Sequence, residues 1–90
     1  MYKISYTAKV EKDLTALKKN EPQSFQKVIK FIDELVEHPT SGTGKPKPLS
    51  GDRPGQWSRR ISSKHRLIYM IDNEKAVVLL LSAYGHYDDK

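Results

Sequence analysis

Gln56-Trp57-Ser58-Arg59-Arg60-Ile61-Ser62-Ser63-Lys64-His65-Arg66-Leu67-Ile68-Tyr69-Met70-Ile71 decides how this chain folds. Two runs carrying aromatic and β-branched residues flank a Ser/Lys turn, which reads as a β-hairpin. Trp57 alternates with Ile61 toward a core. The turn length sets the register. A three-residue turn, Ser62 to Lys64, puts Arg60 directly opposite Arg66, whereas a four-residue turn puts Ile61 there. The first register places two like charges side by side, which costs stability unless an anion bridges them.

Reading downstream, Asp72-Asn73-Glu74-Lys75 is turn chemistry, and Ala76-Val77-Val78-Leu79-Leu80-Leu81 is an unbroken apolar run. Such a run suits a strand buried on both faces and central in its sheet, with helices on one side. Reading upstream, residues 40–54 are a Gly/Pro/Ser-rich connection without periodicity, and Pro39 ends the helix before it. In that helix Phe25, Val28, Ile29, Ile32, Leu35 and Val36 share one face, which carries it to about His38. Asn20 is its N-cap candidate, with Pro22 in the first turn and Gln23 three residues on. Val10, Leu14 and Leu17 mark a first helix over residues 8–19, capped by Thr7. Tyr2, Ile4 and Tyr6 alternate with Lys3 and Ser5 as an opening strand over residues 2–6. The order β-α-α-β-β-β predicts an α+β domain in which a two-helix hairpin packs on a largely antiparallel four-stranded sheet.

Ninety residues suffice for one core and not for two, so residues 1–90 are expected to form one domain. With no cysteine, and three histidines lacking ligand spacing, neither a metal site nor a cofactor is expected. The apolar run at 76–81 is too short to span a bilayer, and the N-terminus lacks the apolar core of a signal peptide. A cytoplasmic protein without membrane contact is the expectation.

The net charge of +5 is unevenly placed. Residues 1–42 hold seven lysines against six acids, residues 43–66 hold seven Lys/Arg against Asp52 alone, and residues 67–90 hold two against four. One 24-residue stretch therefore carries the whole excess, as a phosphate-binding surface would. Lys45, Arg53, Arg59 and Lys64 within it are candidate RNA- or phosphate-binding groups. The plain alternative is a solvated basic loop.

Four blocks in order, Gly44-Lys45-Pro46-Lys47-Pro48-Leu49, Trp57-Ser58-Arg59-Arg60-Ile61, His65-Arg66-Leu67-Ile68-Tyr69 and Gly85-His86-Tyr87, resemble the YoeB/Txe toxin family. That family's pattern reads GxGKPEPL, WSRRI, HRLVY and a terminal HY. The resemblance implies a RelE-like microbial ribonuclease fold, cleavage of mRNA in the ribosomal A site, and inhibition by a YefM/Phd-type antitoxin. It further implies that operator DNA is met only through the antitoxin complex, and it is compatible with a homodimer. Residue by residue, the family's catalytic arginines fall on Arg60 and Arg66, its histidine on His86 and its tyrosine on Tyr87. Its glutamate does not carry over: Lys47 stands there, and Asp88-Asp89-Lys90 follow the tyrosine.

RNA cleavage by the 2′-hydroxyl needs a base for that proton, cations for the charge developing on phosphorus, and an acid for the leaving 5′-oxygen. Arg60 and Arg66 suit the second role, being charged at any working pH and forked toward phosphoryl oxygens. His86 suits the acid role because imidazole titrates near neutrality. A lone histidine near a C-terminus otherwise reads as a surface residue, and the resemblance alone assigns it chemistry. Tyr87 suits stacking on a splayed base. Lys47 is a poor base, since an ordinary lysine is deprotonated about once in 2,500 molecules at pH 7. With Lys45 it is better read as neutralising phosphate, leaving the base to Asp88, Asp89, water or a ribosomal group. Trp57 and His65 read as structural, and His38 as a cationic end to the second helix. Two other function classes remain: a non-catalytic RelE/ParE-like module that holds a protein or nucleic acid, and a DNA-binding protein. The helices lack a basic recognition face, which speaks against the last.

Overall fold

The computed structural model describes residues 1–49 and 55–85. Its elements, in chain order, are β1 (Lys3–Tyr6), α1 (Ala8–Asn20), α2 (Pro22–Leu35), β2 (Lys47–Pro48), β3 (Gln56–Arg60), β4 (Arg66–Asp72) and β5 (Val77–Ser82). Among the described residues the sheet has five strands in the order β1-β5-β4-β3-β2. β1 runs parallel to β5 and the remaining pairs are antiparallel. The fifth strand is the difference from the four expected. β2 has only two residues, Lys47 and Pro48, both exposed, and so short a strand leaves no alternation to read.

Thr7 caps α1 as expected, its hydroxyl accepting the Val10 N–H at 3.2 Å and donating to the Leu80 carbonyl at 2.9 Å. The cap of α2 is Glu21 rather than Asn20, because α1 continues through Asn20. The Glu21 side chain makes no capping bond and serves elsewhere. α2 is regular to Leu35, after which the His38 N–H still reaches the Glu34 carbonyl at 2.7 Å.

Val10, Leu17, Val28, Phe31 and Leu35 from the helices meet Ile61, Leu67, Tyr69, Val78, Leu80 and Ala83 from the sheet side, all buried. This single layer of helices covers one sheet face. β5 is consequently an interior strand but not a doubly buried one: Val78 and Leu80 are buried, while Val77, Leu79 and Leu81 keep partial exposure on the uncovered face. The face away from the helices carries Arg60 and Arg66. In β3 the inward parity belongs to Trp57 and Arg59, and the outward parity to Gln56, Ser58 and Arg60.

Candidate active site

The hairpin turn has three residues, so Arg60 lies directly opposite Arg66. Both Ile61 and Ser62 donate their N–H to the His65 carbonyl, at 3.0 and 3.2 Å, while the Ser62 hydroxyl accepts from the Lys64 and His65 amides. These bonds close the turn and fix the like-charge pair. On the other side of β3, Lys47 of β2 is opposite Ser58. The result is a cavity of about 100 Å³ lined by Lys45, Lys47, Ser58, Arg60 and Arg66. Among the described residues, four cations and no carboxylate line it.

Several features here are unfavourable for the empty protein. The Arg60–Arg66 pair is repulsive. Lys45 has φ of 51°, a left-handed conformation costing a side-chain-bearing residue about 1 kcal/mol. It follows Gly44, itself at φ 81°, where any Cβ would strike the Phe31 ring. A backbone held this way presents Lys45 at the cavity while the Gly44 carbonyl accepts the Arg60 N–H at 2.7 Å.

Arg59 requires a correction. The sequence reading placed it among the phosphate-binding groups, but it is completely buried on the helix side. All five guanidinium donors are used: Nε to the Tyr69 hydroxyl at 3.2 Å, Nη1 to Glu34 Oε1 at 2.7 Å and the Thr43 carbonyl at 3.3 Å, and Nη2 to the His38 and Ser41 carbonyls, each at 2.7 Å. No N–H remains for a phosphate. Burial works to raise the Glu34 pKa, but the Thr43 hydrogen bonds and the Arg59 guanidinium outweigh it and hold the carboxyl below its ordinary range. Burial pushes the Tyr69 phenol up against the opposing pull of Arg59. Arg59 is thus the tie that holds residues 38–43 against the sheet, and through them the start of the segment bearing Lys45 and Lys47.

Lys64 sits exposed on the turn and is not among the cavity-lining side chains. Arg53, His86, Tyr87, Asp88 and Asp89 lie outside the described residues. The segment leading to His86 is fixed up to Gly85, whose N–H donates to His65 Nδ1 at 2.7 Å and whose carbonyl accepts the Arg66 N–H at 3.2 Å. An accepting Nδ1 puts the imidazole proton on Nε2, which donates to Glu21 Oε2 at 2.7 Å. The hydrogen bond from His65 is the main reason the Glu21 carboxyl sits below its ordinary pKa. The Tyr84 ring stacks on His65 with centroids 4.5 Å apart. His65 is 4% exposed and structural, as expected, and Trp57 packs against the core. Among the described residues, no three His, Asp or Glu side chains gather as metal ligands.

Residues 6–87 match the family described as the YoeB-like toxin of bacterial type II toxin-antitoxin systems. A curated relative, Toxin YoeB from Synechocystis sp., is 34% identical over 85 residues, covering 94% of this chain and 96% of the relative. A YoeB/ParE toxin from Agrobacterium tumefaciens superimposes with a TM-score of 0.88 at 29% identity, covering 94% of this chain and 99% of that one. A chain of the heterotetrameric YoeB-YefM toxin-antitoxin complex from Staphylococcus aureus gives a TM-score of 0.81 at 25% identity, over 97% of this chain and 99% of that one. A family match across nearly the full length, on a fold shared with these toxins, shows that the chain belongs to the YoeB-like toxins of bacterial type II toxin-antitoxin systems.

Proposed function

We propose that this toxin is a ribosome-dependent endoribonuclease that cleaves mRNA in the ribosomal A site. The observation that carries the reading is the cationic cavity, in which Arg60 and Arg66 face each other across a hairpin with Lys45 and Lys47 beside them. An RNA phosphodiester is a ligand that turns this repulsion into attraction. In the reaction, the ribose O2′ forms a bond to phosphorus as the bond to O5′ breaks, leaving a 2′,3′-cyclic phosphate and a 5′-hydroxyl. Arg60 and Arg66 stabilise the charge developing on the phosphoryl oxygens. Lys45 and Lys47 neutralise phosphate. His86 gives its proton to the departing O5′, and Tyr87 stacks on a splayed base. None of the described lining residues is a base suited to the 2′-hydroxyl proton, whose candidate acceptors are Asp88, Asp89, a water or a ribosomal group.

The silencing partner is a YefM/Phd-type antitoxin whose acidic segment folds across the cavity and competes with RNA. The Staphylococcus aureus relative solved as a YoeB-YefM complex supports a partner of the YefM type. Lys47 favours a second reading, a non-catalytic module that holds a nucleic acid or protein without cutting it. Inducing the protein alone in a bacterium and mapping mRNA 5′ ends separates the two. New ends within translated codons are expected, with cleavage reduced about 10²-fold or more by Arg60→Ala or Arg66→Ala and abolished by His86→Ala. Growth arrest without new 5′ ends would leave the binding module.

A further inference from the structure

Among the described cavity-lining residues, Ser58 is the one without a charge. It is 1% exposed, flanked in the sheet by Lys47 on β2 and Ile68 on β4, and shares the outward face of β3 with Arg60. Among the described residues no hydrogen-bond partner meets its hydroxyl, and the cavity is the space it opens onto. The hydroxyl keeps contact with water through the cavity, since the buried side-chain atom left without a partner among the described residues is Gln56 Oε1 and not Ser58 Oγ, so its donor can exchange water for a ligand oxygen. The same sheet face buries Ile68, so an apolar residue is tolerated there. A hydrated hydroxyl among four cations is a donor available to an anion that enters the cavity.

We propose that Ser58 is a phosphate-binding group: its Oγ–H donates to an oxygen of the phosphoryl group held by Lys47, Arg60 and Arg66. The two lysines supply charge without fixing orientation, while the two guanidiniums supply forked donors. The Ser58 hydroxyl adds one short-range directional donor beside them, from the uncharged side chain among the described lining residues. The proposal deepens the ribonuclease reading by naming a further contact to the scissile phosphate. It also holds for any phosphate ligand of this cavity.

The test compares the wild type with Ser58→Ala, and with Lys12→Ala on the remote α1 surface as a charge control. Inorganic phosphate is titrated while the backbone amide resonances of Ser58, Arg60 and Arg66 are followed, and thermal midpoints and single-turnover cleavage on programmed ribosomes are recorded. Ser58→Ala is expected to leave the melting temperature nearly unchanged, to weaken phosphate binding about tenfold, and to lower cleavage to a similar extent. Lys12→Ala should leave phosphate binding unchanged. Unaltered phosphate affinity in Ser58→Ala, no phosphate binding by the wild type, or a lowered melting temperature revealing a structural partner would each overturn the proposal. Ser58-dependent phosphate binding without RNA cleavage would sink the ribonuclease reading and leave this one standing. Cleavage with Ser58-independent phosphate binding would do the reverse.

Discussion

Lys47 stands where related toxins carry a glutamate, and its surroundings decide what it does. It is exposed, shares its cavity with Lys45, Arg60 and Arg66, and has no acidic neighbour among the lining residues. A carboxylate here would meet three cations and ionise readily; an ammonium adds a fourth positive charge and repels nothing in an RNA backbone. Lys47→Glu is therefore expected to weaken RNA binding and slow single-turnover cleavage together, with the salt dependence of binding shallower by about one counterion. Cleavage faster than both wild type and Lys47→Ala would show that the position needs a base. The lysine was readable in the sequence, as was the opposition of Arg60 and Arg66 once the turn had three residues. Arg59 was misread for an instructive reason. Trp57 and Ile61 already pointed inward, and a period of two places Arg59 between them on the same side. Its positive charge suggested a surface, but Glu34, Tyr69 and three loop carbonyls gather from 10 to 25 residues away in the chain, and no local pattern announces that.

At the scale of elements, the segment from His38 to Lys45 lacks secondary structure of its own and borrows its shape from Arg59. The guanidinium also lies 5.8 Å from the Phe31 ring centroid and 5.9 Å from that of Tyr69, so the tie has aromatic walls. The Tyr69 hydroxyl donates onward to the Pro39 carbonyl at 2.8 Å, completing the clasp. Replacing only one member of such a buried pair leaves the rest uncompensated. Arg59→Met is expected to lower unfolding stability by about 3 kcal/mol in urea titrations. Glu34→Gln should cost less, because that side chain is 23% exposed and water can take part of the role. A fully stable Arg59→Met variant would mean the loop is held by its own turns. Long strands and helices were legible because they carry their periodicity with them. β2 was not, because its pairing with β3 depends on how the Arg59 clasp delivers Lys47 and Pro48 to the sheet edge.

Across the whole molecule, one hydrogen-bonded chain joins three distant stretches: Glu21 at the helix junction, His65 at the hairpin turn, and Gly85 at the end of the described chain. Glu21 and Glu34 both have carboxyl pKa values lowered from 4.5 in the folded state, Glu21 chiefly by the His65 hydrogen bond and Glu34 by Thr43 and Arg59 against the effect of burial. A carboxyl that holds its proton less tightly when folded makes the unfolded state the better proton binder in that window. Stability then rises with pH there. The contribution of each is complete above about pH 4.5, the unfolded value, and is lost as pH falls through the lower folded value. Because these two carboxyls tie the hairpin turn and the 38–43 loop to the helices, acidification is expected to weaken both anchors while the apolar core is unaffected. Urea midpoints measured from pH 7 to pH 3 should fall most steeply below pH 4.5. Glu21→Gln should start lower at neutral pH and decline less steeply, since the amide has no proton to gain. An acid slope identical to wild type in both Glu21→Gln and Glu34→Gln would show that other carboxyls govern the acid limit, and that the Glu21–His65–Gly85 chain contributes nothing that depends on charge.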